Sequence, residues 1–255
     1  MRKIFSIAYY TFLECVRNKI LLTVFVFVMV GGASFSFFRY MTPAEEIKLL
    51  KDFCFGSISF IGILISIFLP VTVISREMED LTVYVILSKP VKRGAFIFAK
   101  YCGIMLTLLA MTGIMTALFL GLLYLREGIV DLAILKSIIL LLCKFSVVSA
   151  VSLFCAIMTT THVLAALISF FVYVLGHLID NLSDLIEHVE VPLTSVILSS
   201  AVKLLPNLSG FDISDAIVVG TYISRGYIVK MAAYGAVYTA AVLALTVLCF
   251  RKKQL

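Results

Sequence analysis

Tyr101–Leu125 reads YCGIMLTLLAMTGIMTALFLGLLYL, 25 residues without a charge, held between Lys100 and Arg126. A helix needs roughly 20 consecutive apolar residues to cross the hydrocarbon of a bilayer. A soluble helix shows an apolar stripe and a polar face, and this one is apolar all round. The stretch therefore predicts a membrane span, 101–125. The same reading between other charges gives Ile20–Phe38, Phe53–Ser75 and a last span over 229–250, centred on Met231–Phe250. The whole chain agrees. Of its 255 residues 62% are hydrophobic and 14% charged, with a mean hydropathy of +1.12. Soluble domains sit near roughly 45–50% apolar with about a quarter charged. A soluble enzyme, a secreted disulfide domain and a disordered tail are excluded on this ground.

The remaining global features narrow the class. A net charge of +6 reads, in a membrane protein, as basic cytoplasmic loops and not as nucleic-acid binding. The six cysteines form no C-x-x-C pair and fall mostly in apolar runs. They read as small apolar residues, with no disulfide framework or zinc site. The N-terminal apolar stretch is broken by Glu14 and Arg17, which argues against a cleaved signal.

Between Lys144 and Asp180 lie 35 uncharged residues, too many for one span and too few for two. Extending the first span backward across Lys144 gives helices over 137–158 and 163–179, hinged at Thr159–His162. Six spans follow, with both termini on one side. The Lys and Arg placement puts that side in the cytoplasm. Residues 1–19 alternate at helical period. Ile4, Phe5, Ala8, Tyr9, Phe12, Leu13 and Val16 share one half of the wheel, which predicts an interfacial helix before the first span.

The segment 76–100 is charged and apolar at once. Arg76, Glu77, Glu79 and Asp80 precede the run Leu81–Leu87, which Ser88-Lys89-Pro90 terminates. An ordinary basic connector would not carry an apolar run, which needs lipid, the bundle or a protein to cover it. The acids followed by Leu87-Ser88-x-Pro90-x-x-Arg93-x-x-Phe96-x-x-x-Lys100 resemble permease subunits of ABC-2 type transporters. The permease of the nitrous-oxide-reductase maturation transporter and its relatives are the most similar group. Where those relatives carry Gly-Thr after the acids, this chain has Leu81-Thr82.

The resemblance implies an all-α, polytopic fold of six transmembrane helices with an interfacial N-terminal helix and short outer helices between spans five and six. It implies a homodimer whose first cytoplasmic loop docks on a separate ABC ATPase subunit. The docking residues would be Arg76, Glu77, Glu79, Asp80, Leu81, Tyr84, Leu87, Lys89, Pro90 and Arg93. ATP and Mg would be bound by that partner. This chain has no Gly-rich phosphate loop ending in Gly-Lys-Ser/Thr, so it is expected to be non-catalytic and without a cofactor of its own.

Outside, 180–228 is expected to cap the bundle. Asp180, Asp184 and His188 recur every four residues and share one helix face. That face suits contact with an extracytoplasmic partner, a divalent metal, or plain hydration. Lys144 sits two turns into the expected fourth helix, where a charge either lines a path or snorkels to the interface. Gly113, Ala117 and Gly121, and the series Ala232, Ala236, Ala240 and Ala244, form small-residue faces suited to helix packing within the bundle or across a dimer. The functional expectation is ATP-driven export. The alternative is a mechanical transmitter that remodels an outer partner protein without moving a solute. An ion-coupled carrier fits less well, because the uncharged spans hold no acid.

Overall fold

The computed structural model describes residues 2–15, 43–79, 93–127, 132–179, 205–214 and 224–252. Among them every regular element is helical. They are α1 (Arg2–Cys15), α2 (Pro43–Glu79), α3 (Arg93–Glu127), α4 (Leu132–Met158), α5 (His162–His177) and α6 (Arg225–Lys252). A single 3-10 turn, Ser209–Phe211, precedes α6. Four of the helices are long and apolar enough to cross a membrane: Ile47–Glu77, Gly94–Leu125, Ala133–Met158 and Arg225–Phe250. The expected span Ile20–Phe38 lies outside the described residues.

The helices outrun the uncharged runs that predicted them. α2 begins at Pro43, a residue whose missing N–H costs nothing in a first turn. It continues past Arg76, which stands in its last turn where a cation suits the helix dipole. α4 begins at Leu132, not near Ser137, because Leu132–Leu135 are good helix residues and Lys136 does not interrupt a helix that has yet to enter the apolar core. α5 is the exception in length. Its 16 residues rise about 24 Å, short of the roughly 30 Å hydrocarbon layer.

α4 is the axis of the bundle. It packs against α2, α3, α5, α6 and the 3-10 turn. Of its apolar span 72% is buried, against 28% for α6. Two glycines permit close approach. Gly62 of α2 receives the ring of Phe145, and a Cβ there would stand 2.1 Å from Phe145 Cζ. Gly103 of α3 receives α1, with a Cβ position 2.7 Å from Thr11 Cβ and 2.8 Å from the Ala8 carbonyl. The predicted N-terminal helix is therefore present and sits against α3 by Ala8 and Thr11, while Tyr9, Tyr10 and Leu13 remain exposed. Ring pairs close the core: Phe55 edge-on to Phe119 at 5.3 Å, and Phe96 stacked on Phe250 at 6.4 Å.

Buried hydroxyls mostly bond back to their own helix. Ser66, Thr107, Thr112, Thr116, Ser152, Ser169 and Thr246 each donate to the carbonyl four residues earlier. That is how a hydroxyl is satisfied inside an apolar helix bundle. The small-residue faces behave differently from the glycines above. Gly113, Ala117 and Gly121 are exposed, as are Ala236, Ala240 and Ala244. A Cβ at Gly113 or Gly121 would meet nothing within 4 Å among the described residues.

Candidate functional site

Because the helices alternate in direction, the bundle has two ends. One carries the end of α2, the start of α3 and the end of α6, as the Phe96–Phe250 stack requires. The other carries the start of α4, the end of α5 and the start of α6. An ion pair stands toward each end.

At the first end, Lys100 pairs with Glu77. Lys100 is 4% exposed, although only two turns into α3. Burial of an ammonium costs several kcal/mol unless a counter-charge meets it, so the α2 carboxylate fixes the position of α3. The pair joins the end of α2 to the start of α3, on either side of residues 80–92, which lie outside the described residues. Arg76 is exposed beside it. Glu79 and Arg93 are the last residue of α2 and the first of α3. Asp80, Leu81, Tyr84, Leu87, Lys89 and Pro90 lie outside the described residues. Sequence reading assigned Glu77 outward, to a partner. The structure turns it inward, to Lys100, a residue that had been read only as a span boundary.

At the second end, Lys144 is wholly buried. It stands about 18 Å along α4 from Leu132 at 1.5 Å per residue, deeper than a start near Ser137 implies. Its ammonium does not end in the interface. Nζ donates to Asp212 Oδ2 at 3.0 Å and lies 5.6 Å from the centre of the Tyr173 ring. Tyr173 in turn stacks on His177 at 6.0 Å. Ser214 donates to the other carboxylate oxygen of Asp212 at 2.8 Å. Burial pushes the Asp212 carboxyl up, but the charge and hydrogen bond of Lys144, the Ser214 hydroxyl and the charge of His177 outweigh it and hold it below the ordinary 3.8.

Asp212 reaches Lys144 because α5 is short. The last turn of α5 stands level with Lys144, and residues 205–214 occupy the space beyond it. A non-helical segment tucked into an apolar bundle must have its backbone groups satisfied by protein. They are. Leu208 N–H donates to the Gly176 carbonyl at 2.9 Å, and Asn207 N–H donates to Tyr234 Oη at 3.0 Å. Tyr227 Oη donates to the Gly210 carbonyl at 2.7 Å, and the Asn207 side chain accepts from Ser209 Oγ and Gly210 N–H. Phe211 is wholly buried against Gly235, where a Cβ would stand 3.1 Å from its ring. At Gly176 a Cβ would stand 2.6 Å from the Pro206 carbonyl.

Between the two ion pairs, Tyr101 Oη and Ser146 Oγ share a 2.6 Å hydrogen bond, and Ser146 Oγ lies 3.3 Å from Thr239 Oγ1. This joins α3, α4 and α6 by hydroxyls facing one another across helices. The other groove of note, about 480 Å³ along α2 between Leu49 and Phe60, offers only Asp52 and Ser57 as polar lining.

The sequence singles out Lys144 but not its partner Asp212, which falls within the expected outer cap, 180–228. The available signal was the demand of a deep ammonium for an anion, answered by an acid directly after the apolar Phe211. Asp180, Asp184 and His188 lie outside the described residues. Among the described residues no three His, Cys, Asp or Glu side chains gather as a metal site. No family model matches the chain, and no curated protein matches it at significant similarity.

Proposed function

We propose that the chain is the membrane permease subunit of an ABC-2 type transporter, an exporter driven by a separate ATPase that binds ATP and Mg. The observation that carries this reading is the Glu77–Lys100 stem. It holds two span-length helices together at the base of the charged and apolar segment that resembles a docking loop. A load on that loop passes straight into α2 and α3. α1, locked to α3 at Gly103, is placed to receive the same load. A six-span topology is supported by the ends of the elements. α1 lies on the loop-proximal part of α3, whereas α2 starts at the opposite end, as six spans would require. The small-residue faces of α3 and α6 are open among the described residues, and a homodimer would cover them. The reading places both termini in the cytoplasm and the protein in the plasma membrane.

The test is ATPase stimulation in complexes reconstituted with the cognate ATPase. Glu79→Lys combined with Arg93→Glu changes the loop ends without touching the Glu77–Lys100 pair. Stimulation should be lost while thermal stability is kept. Undiminished stimulation would refute loop docking.

One observation favours the second reading, mechanical transmission to an outer partner. Residues 205–214 are bonded to α4, α5 and α6 at once, so motion of the bundle is carried into the outer segment. Co-purification of a soluble protein that depends on 180–204 would support the transmitter. ATP-dependent solute flux in vesicles without such a partner would support the exporter.

A further inference from the structure

A buried ammonium keeps its charge only while an anion faces it. In this bundle the two members of the pair are unequally held. Lys144 has none of its side chain exposed, whereas 30% of the Asp212 side chain is. The cation is built into the central helix, and the anion is carried on a loop at the mouth. Swinging the Asp212 side chain about its own χ angles frees the ammonium without disturbing the bonds that hold 205–208 and 210 to α5 and α6. An ammonium offers three donors, of which Asp212 takes one. The wall around it is aromatic: Tyr173 under the ammonium, then His177, exposed and stacked on Tyr173. The groups that act on Asp212 include Lys144 of α4, Tyr173 and His177 of α5, and Ser214 of its own segment. Two of these four are bases. A short helix capped by a satisfied non-helical segment is where membrane bundles place polar ligands, since only there does irregular backbone meet a polar group at depth.

We propose that Lys144, Tyr173 and His177 form a recognition site for a small oxyanion, a carboxylate or a phosphate ester, and that Asp212 is the internal anion the ligand displaces. Acid release of Asp212 does not serve near neutral pH, because its carboxyl is held below the ordinary value. What remains able to separate the pair at neutral pH is another anion. The site stands apart from ATPase docking and survives if that reading fails.

The experiment uses the full chain purified in detergent. Acetate, formate and inorganic phosphate are titrated at constant ionic strength against chloride, with acetamide as the neutral isostere. In Asp212→Ala the oxyanions should restore the lost thermal stability saturably, and acetamide should not. The double variant Lys144→Met/Asp212→Ala should show no response. In the wild-type chain, carbodiimide coupling of glycine ethyl ester to Asp212, read by mass spectrometry, should rise several-fold and saturably with phosphate. This second measurement holds even if Asp212→Ala does not fold. Absence of oxyanion rescue, an equal response of the double variant, or coupling at Asp212 indifferent to phosphate would overturn the proposal and leave the pair as a structural tie.

Discussion

Removing one charge at a time from the Lys144–Asp212 pair should give unequal costs, and the inequality follows from burial. Asp212→Asn leaves a wholly buried ammonium facing an amide. Breaking a buried pair by removing one partner costs about 3–5 kcal/mol, because the remaining charge is uncompensated. Lys144→Met leaves the carboxylate instead. With 30% of its side chain exposed and Ser214 still donating, that carboxylate rehydrates, and about 1–2 kcal/mol is expected for the lost charged hydrogen bond. Met also fills the apolar path of the lysine stem. The double variant should cost about 1 kcal/mol or less, since a buried pair replaced by groups of similar volume is often neutral. The coupling between the sites is then about 3–6 kcal/mol. Reversible unfolding in mixed micelles, titrated with a denaturing detergent, reads all four proteins on one scale. Additive single-site costs, or Lys144→Met costing more than Asp212→Asn, would refute the assignment of Asp212 as the counter-ion of a fixed buried charge.

Four further outcomes are expected. Gly62→Ala places a methyl 2.1 Å from Phe145 Cζ, with Phe145 wholly buried, so it should cost about 1–3 kcal/mol, and Phe145→Leu in the same chain should recover part of that in a thermal-shift assay. Gly176→Ala meets the Pro206 carbonyl at 2.6 Å; the loop should unseat, and a cysteine at Ser209 should become several-fold more reactive to a membrane-impermeant maleimide. The lowered Asp212 carboxyl contributes stability above its ordinary value of 3.8 that is lost as pH falls through the lower folded value, so the acid limb of wild-type unfolding below that pH should flatten in Lys144→Met/Asp212→Asn. If the proposed docking holds, Lys100→Met should lower ATPase stimulation more than Lys100→Met combined with Glu77→Gln, because the double variant does not leave a largely buried carboxylate without its cation.

Span-length apolar helices were legible because membrane burial is recorded in composition. A window of roughly 20 apolar residues carries its own meaning without any partner. The N-terminal helix was legible for a related reason, since its period of 3.6 is local. The edges were less so. Charges at Lys136, Arg76 and Lys48 lie within helices, and a reading that stops each span at a charge stops it too soon. A helix ends where its hydrogen-bond pattern ends, not where hydrocarbon gives way to water. The small-residue stripes were legible as stripes, but sequence does not say which glycine faces a neighbour. Among the described residues Gly62 and Gly103 do, and Gly113 and Gly121 do not, because tertiary placement of Phe145 and of α1 decides it. The ion pairs were half legible. Lys144 announces itself as a charge in an apolar run. Its partner lies 68 residues away, in a loop whose position depends on α5 being short.

The two ion pairs differ in what their separation would cost, and the difference bears on how such a bundle could move. Glu77–Lys100 joins two long helices, and both side chains are well buried, at 15% and 5% exposed. Opening it would expose or strand a charge with no mobile element to take the strain, so α2 and α3 should move together beneath the loop. Lys144–Asp212 joins a helix to a loop, and one member is open to the mouth. A load arriving through α2 reaches α4 where Phe145 is seated in Gly62, one residue from Lys144. A shift of α4 along its axis by even a quarter turn would pull the ammonium from a carboxylate that α5 and α6 hold in place. The compliant pair is therefore the one between α4 and residues 205–214. A ligand anion waiting at the mouth would lower the cost of that shift by replacing Asp212, which links occupancy of the outer site to the ease of moving α4. If so, the oxyanions that rescue Asp212→Ala should also raise ATPase stimulation in the wild-type complex, and rescue without any change in stimulation would separate the site from the motion.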